Sequence, residues 1–185
     1  MHQTVKTVFR LCLASLIFAI TVALLFTLVV KIQDIVKADE NFNQKQSFSL
    51  NSSEKEQFVL VSNNQNPDNA IFVVIANNGY LAKVNCEHYT TDLCLDDYNK
   101  SHTRQISQAK LVKAGQWFYI QNVAYRDSRS GKTAEFNYND AQIQQFYKND
   151  VSGLKYTIFG IGLFSAIAVY VSIRILRDFR RFLVK

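Results

Sequence analysis

The chain has 185 residues, a net charge of +6 and a pI near 9.2. A basic balance of this size would suit nucleic acid, but its distribution argues against that partner. Lys6 and Arg10 stand before the first long apolar run, and Arg174, Arg177, Arg180, Arg181 and Lys185 follow the last one against a lone Asp178, while the fourteen basic residues of 31–155 meet fourteen acidic ones. The excess flanks two apolar segments, which is the positive-inside pattern of a chain with both termini in the cytoplasm.

Residues 1–10 form a short cytoplasmic tail. Residues 11–30 contain no charged side chain; as a helix rising about 1.5 Å per residue they cover about 30 Å, the thickness of a bilayer's hydrocarbon core. The run is too long for the apolar core of a cleaved signal peptide, and Cys12 lacks the residues of a lipid-attachment site before it, so it reads as an uncleaved anchor. Ser15, Ala19, Ala23 and Thr27 recur every four residues as a narrow stripe of small side chains. Gly162 and Ala166, with Ser165 alongside, form a similar face in the second apolar run. Such faces let helices approach closely in lipid, either against each other or against a partner. The expected partners are therefore the lipid bilayer and a second membrane protein, or another copy of the chain, through these helices. Neither 11–30 nor 156–173 contains Asp, Glu, Lys, Arg or His, which argues against a pump or proton relay and leaves a pore lined by Thr21, Thr27 or Ser172 as an alternative.

Residues 31–56 read as a helical extension, carried by Ile32, Ile35 and Val36, and then a polar linker rich in Asn, Gln, Ser and Lys. Two sequons, Asn51-Ser52-Ser53 and Asn99-Lys100-Ser101, fall in Asn-rich sequence where chance matches are common.

Residues 57–138 read as an extracytoplasmic β-domain of about six strands, mainly antiparallel and sandwich-like. The run 70–76 (AIFVVIA) is β-branched, aromatic and continuous. Asn77-Asn78-Gly79 follows it, and Asn-Gly between apolar runs signals a two-residue hairpin turn. A second hairpin is expected from 116–126 through a loop at 127–131 to 132–138. Trp117, Phe118, Tyr119 and Tyr125 read as core aromatics. They do not interleave with a basic patch, so they give nucleic-acid binding no support.

Residues 139–154 carry Ile143, Phe146, Tyr147, Val151 and Leu154 at helical spacing. This juxtamembrane helix is expected to run into the second span at 155–173, bending at Gly153 if anywhere, and so to couple domain and membrane rigidly. In the tail 174–185, Arg174, Arg177, Arg180 and Arg181 alternate with Phe179, Phe182 and Leu183, as in a basic amphipathic helix on an anionic membrane surface.

The chemistry-bearing residues are few. Cys86 and Cys94 share the exported domain and are expected to form a disulfide. The alternative, a metal site from Cys86, His88, Cys94 and His102, fits no common zinc spacing. The acidic stretch Glu87, Asp92, Asp96 and Asp97 lacks the ladder and glycine of a calcium loop. The six glycines are scattered, and no nucleophile elbow is present. No cofactor or catalytic residue is expected. The function this supports is a non-catalytic accessory or assembly subunit that presents a β-domain for protein–protein interaction. The alternatives are an immunity protein against a toxin acting in the periplasm or membrane, a homo-oligomeric two-helix pore, and a membrane-anchored enzyme. The composition suits a bacterial inner membrane with the middle domain in the periplasm.

Overall fold

The computed structural model describes residues 2–54, 56–63, 68–76, 78–91, 93–94, 102–128 and 130–183. The chain divides into a helical unit, Met1–Lys37 with Asp150–Lys185, and a β-rich unit, Ala38–Asn149.

The helical unit holds α1 (His2–Val36) and most of α3 (Asp140–Leu183). At about 1.5 Å per residue α1 is about 52 Å long and α3 about 66 Å. Both contain segments apolar and long enough to cross a bilayer, with mean hydropathies of 2.7 and 2.0. Most of their apolar side chains face outward: Phe26 is 71 % exposed and Phe159 76 %. Burial follows one stripe on each helix, through Ile17, Thr21, Leu24 and Leu28 on α1 and through Ser165, Val169, Ser172 and Ile175 on α3. The spacing of three and four residues is that of two helices meeting along one face. α3 continues through Gly153 and onward to Leu183, so residues 174–183 extend the second apolar run as the same helix and do not form a separate one.

The β-rich unit opens with α2 (Ala38–Asn43), followed by β1 (Gln46–Asn51), β2 (Phe58–Asn63), β3 (Ala70–Ile75), β4 (Gly79–Asn85), a 3-10 turn (Cys86–Tyr89), β5 (His102–Ala114), β6 (Trp117–Asp127) and β7 (Thr133–Asn137). All pairings are antiparallel, in the order β4-β3-β2-β5-β6-β7, with β1 also on β5. There are thus seven strands in one sheet, and the sheet closes into a barrel; the sandwich expected from sequence is corrected. The reason lies in β5. Its first half carries β2, Phe58 opposite Ile106, and its second half carries β1 on the same side, Asn51 opposite Gln108. Register shifts at Ile106/Gln108 and Lys110/Leu111 bend β5 against β6, and another shift bends β3 at Val73/Val74. Such bulges sharpen the right-handed twist, and the sheet curls until β4 returns against β6.

Two local expectations also differ. The stretch 40–53, read as linker, contains β1: its sequence QSFSLN is mostly polar and exposed, so its strand character comes from pairing with β5 and not from a buried face. The 76–79 hairpin forms, but Ile75 pairs with Gly79. The turn is therefore not the two-residue type, and Gly79 takes a φ of +98° as the first residue of β4.

The barrel core is built by strict alternation where the sheet is regular. Phe58, Leu60 and Ser62 point inward from β2, and Ala82 and Val84 from β4. α3 begins at an Asn139–Gln142 capping box, in which each side chain accepts from the other residue's backbone N–H at 2.8 Å. Its first turns bring Ile143 and Tyr147 into the core, and Tyr147 meets Phe42 of α2, Trp117 and Tyr119. Tyr119 and Tyr125 are buried; Trp117 and Phe118 are half-buried.

Candidate functional site

The residues singled out in the sequence fall in three places. The first is the segment that follows β4. Cys86 and Cys94 form a disulfide with Cα atoms 5.6 Å apart. The bridge ties off a short loop whose residues reach into the barrel wall. Tyr89 is fully buried, and its hydroxyl donates to the Ile120 carbonyl at 3.2 Å and accepts from the Ile120 N–H at 2.9 Å. β7 pairs with β6 only over Asn122–Arg126, so the phenol takes the place of a strand at the uncovered part of β6. The Leu93 carbonyl accepts from Arg104, which is only 4 % exposed and lies 5.1 Å over the Tyr125 ring. A guanidinium on an aromatic face with a carbonyl at its edge is a way of holding a charge inside a barrel. Arg104 was not flagged by the sequence; its position between the outward Thr103 and Gln105 of β5 is the alternation that could have found it.

With both sulfurs bonded to each other, neither is a thiolate ligand, and among the described residues no three His, Cys, Asp or Glu side chains gather as a metal site. His88 stacks on Phe146 with ring centroids 4.7 Å apart. Asp92, Asp96 and Asp97, the second sequon and the His102 side chain lie outside the described residues.

The second place is a shallow cleft of about 610 Å³ over β5, β6 and β7, at the point where β1 and β2 part along β5. Its hydroxyls serve the backbone. Ser52 Oγ donates to the Ile106 carbonyl and accepts the Phe58 N–H, and Ser107 Oγ donates to the Ala124 carbonyl. Arg126 and Glu135 are the charged groups on its rim.

The third is the helical unit. Ser15, Ala19, Ala23 and Thr27 are all exposed, on the side of α1 away from the buried stripe. Gly162 is half-buried near the contact, Ser165 is buried in it, and Ala166 is exposed. The small-residue stripes therefore do not meet each other in this chain. Thr21 and Ser172, two candidate pore-lining residues, instead hydrogen-bond across the helix pair at 3.0 Å. Arg174 and Arg177 are exposed on α3 beyond its apolar run; the side chains of Arg180 and Arg181 lie outside the described residues.

No protein-family model, curated protein or solved structure matches the chain.

Proposed function

We propose that this chain is a non-catalytic two-pass membrane protein whose β-barrel serves as the interaction module of a membrane or cell-envelope complex, in the role of an accessory or assembly subunit. Both termini lie in the cytoplasm and the barrel on the outer side, in the periplasm if the host membrane is a bacterial inner membrane. The outward-facing apolar side chains of α1 and α3 support the anchoring, because a surface of that kind is stable in lipid and costly in water. The basic residues at one end of the pair support the orientation.

The observation that carries the interaction role is β1. Among the described residues it pairs with β5 on one side and with no strand on the other. Five of its six residues are exposed, and none is charged or proline. Soluble proteins usually blunt such an edge with Lys, Pro or a bulge, because it is a template for another strand, and strand addition to an open edge is a recurrent mode of recognition.

The test is to tag the C-terminus, express at native level, extract in mild detergent and identify stoichiometric companions, with Ser49→Lys as the comparison. The expected result is a second protein that is retained by the wild type and lost from S49K while the barrel stays folded. A wild-type chain that purifies alone, or a companion held equally by S49K, would overturn this reading of β1.

A further inference from the structure

The hydrogen bond between Thr21 and Ser172 fixes the register of two antiparallel helices. Arg174 lies two residues past Ser172, and so is level with about Ala19 on α1. The apolar run of α1 starts at Leu11, eight residues nearer the end; at about 1.5 Å per residue Arg174 sits about 12 Å inside that boundary. The two apolar runs are thus offset, and the first charges of α3 lie alongside uncharged α1. Arg174 takes no part in the Lys31–Asp34 or the Lys45–Asp140 ion pair.

At this level the helices leave a cleft of about 340 Å³. Its walls are mainly apolar, with Leu13, Ala14 and Ile17 on one side and Val171, Ile175 and Phe179 on the other. Its polar lining is Arg174 at the inner end, Asp178 midway, and Arg10 and Thr7 toward the terminus of α1. Two guanidinium groups against one carboxylate leave a net positive charge, and the tail adds Arg177 close by. A charge inside the apolar zone is expensive unless it reaches a counter-charge or water. The group that can supply both an anion and an apolar body at this depth is a lipid.

We infer that the cleft binds a membrane phospholipid with an anionic headgroup. Its phosphate is held at the Arg174 guanidinium, and an acyl chain lies against the apolar walls. Arg suits the phosphate because its planar fork donates two parallel hydrogen bonds. Basic pockets between membrane helices are a recurrent headgroup site. This inference rests on reading α1 and α3 as membrane spans.

The experiment is native mass spectrometry of the full chain extracted from membranes in mild detergent. It is repeated after exchange into bilayers of phosphatidylglycerol, of phosphatidylcholine, or of phosphatidylcholine with inorganic phosphate added. The variants are Arg174→Gln, which removes the charge, Arg174→Lys, which keeps it, and Ala14→Phe, which fills the cleft. The wild type is expected to retain one phosphatidylglycerol and at least tenfold less phosphatidylcholine; R174Q and A14F lose retention at least tenfold, and R174K keeps part of it. Equal retention of both lipids, or retention unchanged in R174Q and A14F, overturns the inference, and so does occupancy by inorganic phosphate alone. Extraction of the wild-type chain by alkali would instead remove the membrane reading beneath it. A chain that resists alkali yet retains no lipid sinks only the lipid site.

Discussion

Thr21 and Ser172, 151 residues apart in sequence, bring their hydroxyl oxygens within 3.0 Å inside the helix pair. Thr21 also donates to its own Ile17 carbonyl at 2.8 Å. A hydroxyl has one proton, so with that proton committed Ser172 is the donor and Thr21 the acceptor. Both side chains are nearly fully buried, and the contact selects one rotation and one register for two otherwise greasy helices.

Replacing Thr21 with Val keeps the shape and removes the acceptor; Ser172→Ala removes the donor. Interhelical hydrogen bonds in membranes average about 0.6 kcal/mol and reach about 1.7 kcal/mol, and each change is expected to weaken the pair by an amount in that range. A double-mutant cycle on the full chain unfolded in mixed micelles measures the coupling. Fully additive losses would show that the hydroxyls do not act on each other.

Tyr89→Phe leaves the ring in place and strips both backbone groups of Ile120 of their partner. Unsatisfied buried polar groups cost about 1–3 kcal/mol, so the barrel should unfold at a clearly lower urea concentration. Trp117, the single tryptophan, packs against Tyr147 and reports the transition by fluorescence. The Ile120 amide should also exchange its proton faster. An unchanged midpoint would mean that water replaces the phenol at no cost.

The Cys86–Cys94 bridge closes a loop with a sequence separation of 8. Chain entropy for a loop of that size gives about 2–3 kcal/mol of stabilisation. Cys86→Ser with Cys94→Ser is expected to lose about that much, and wild type treated with reductant should unfold at the same midpoint as the double variant. The loss should act through Tyr89 and Leu93, which the closed loop delivers to β6 and Arg104, so amide exchange should rise at Ile120 first.

Asp140 accepts from Lys45 at 3.0 Å and from Gln121 at 2.6 Å. The Lys45 ammonium, by hydrogen bond and by charge, holds its carboxyl below the usual 3.8, with Gln121 and the more distant Lys110 adding to the effect. The folded state therefore favours the carboxylate. Its contribution is complete above about pH 4 and is lost as the pH falls through the lowered value. The pair is solvent-exposed, so its worth is at most about 1 kcal/mol. Asp140→Asn should reduce stability at pH 7 by no more than that and should flatten the loss as the pH falls from about 4 through the lowered value. An acid limb as steep as wild type would assign the acid sensitivity to other carboxylates.

What could be read along the chain was what depends on near neighbours. Twenty uncharged residues make a helix fit for a bilayer wherever they fold. The spacing of Ile143 and Tyr147 placed them on one face of α3, and alternation in β2 placed Leu60 inward, because helix and strand periods are fixed by backbone geometry. The Cys86–Cys94 bridge was legible because the two cysteines share one short stretch of one domain.

Only the tertiary structure decided which surfaces meet. The small residues Ser15, Ala19, Ala23 and Thr27 looked like the contact face of α1, yet the contact runs through Thr21, whose bond to Ser172 depends on a residue 151 positions away. Residues 46–51 carry only a short alternation, Phe48 and Leu50 between polar residues in an Asn/Gln/Ser-rich stretch, and became β1 because β5 is long enough to carry two strands on one edge. Arg104 is buried because Leu93 and Tyr125 come to it from other elements. The choice of barrel over sandwich lay in three register shifts, whose effect accumulates across the whole sheet. Propensity and periodicity act over a few residues; register and closure are set by pairings between distant segments, and no local pattern encodes them.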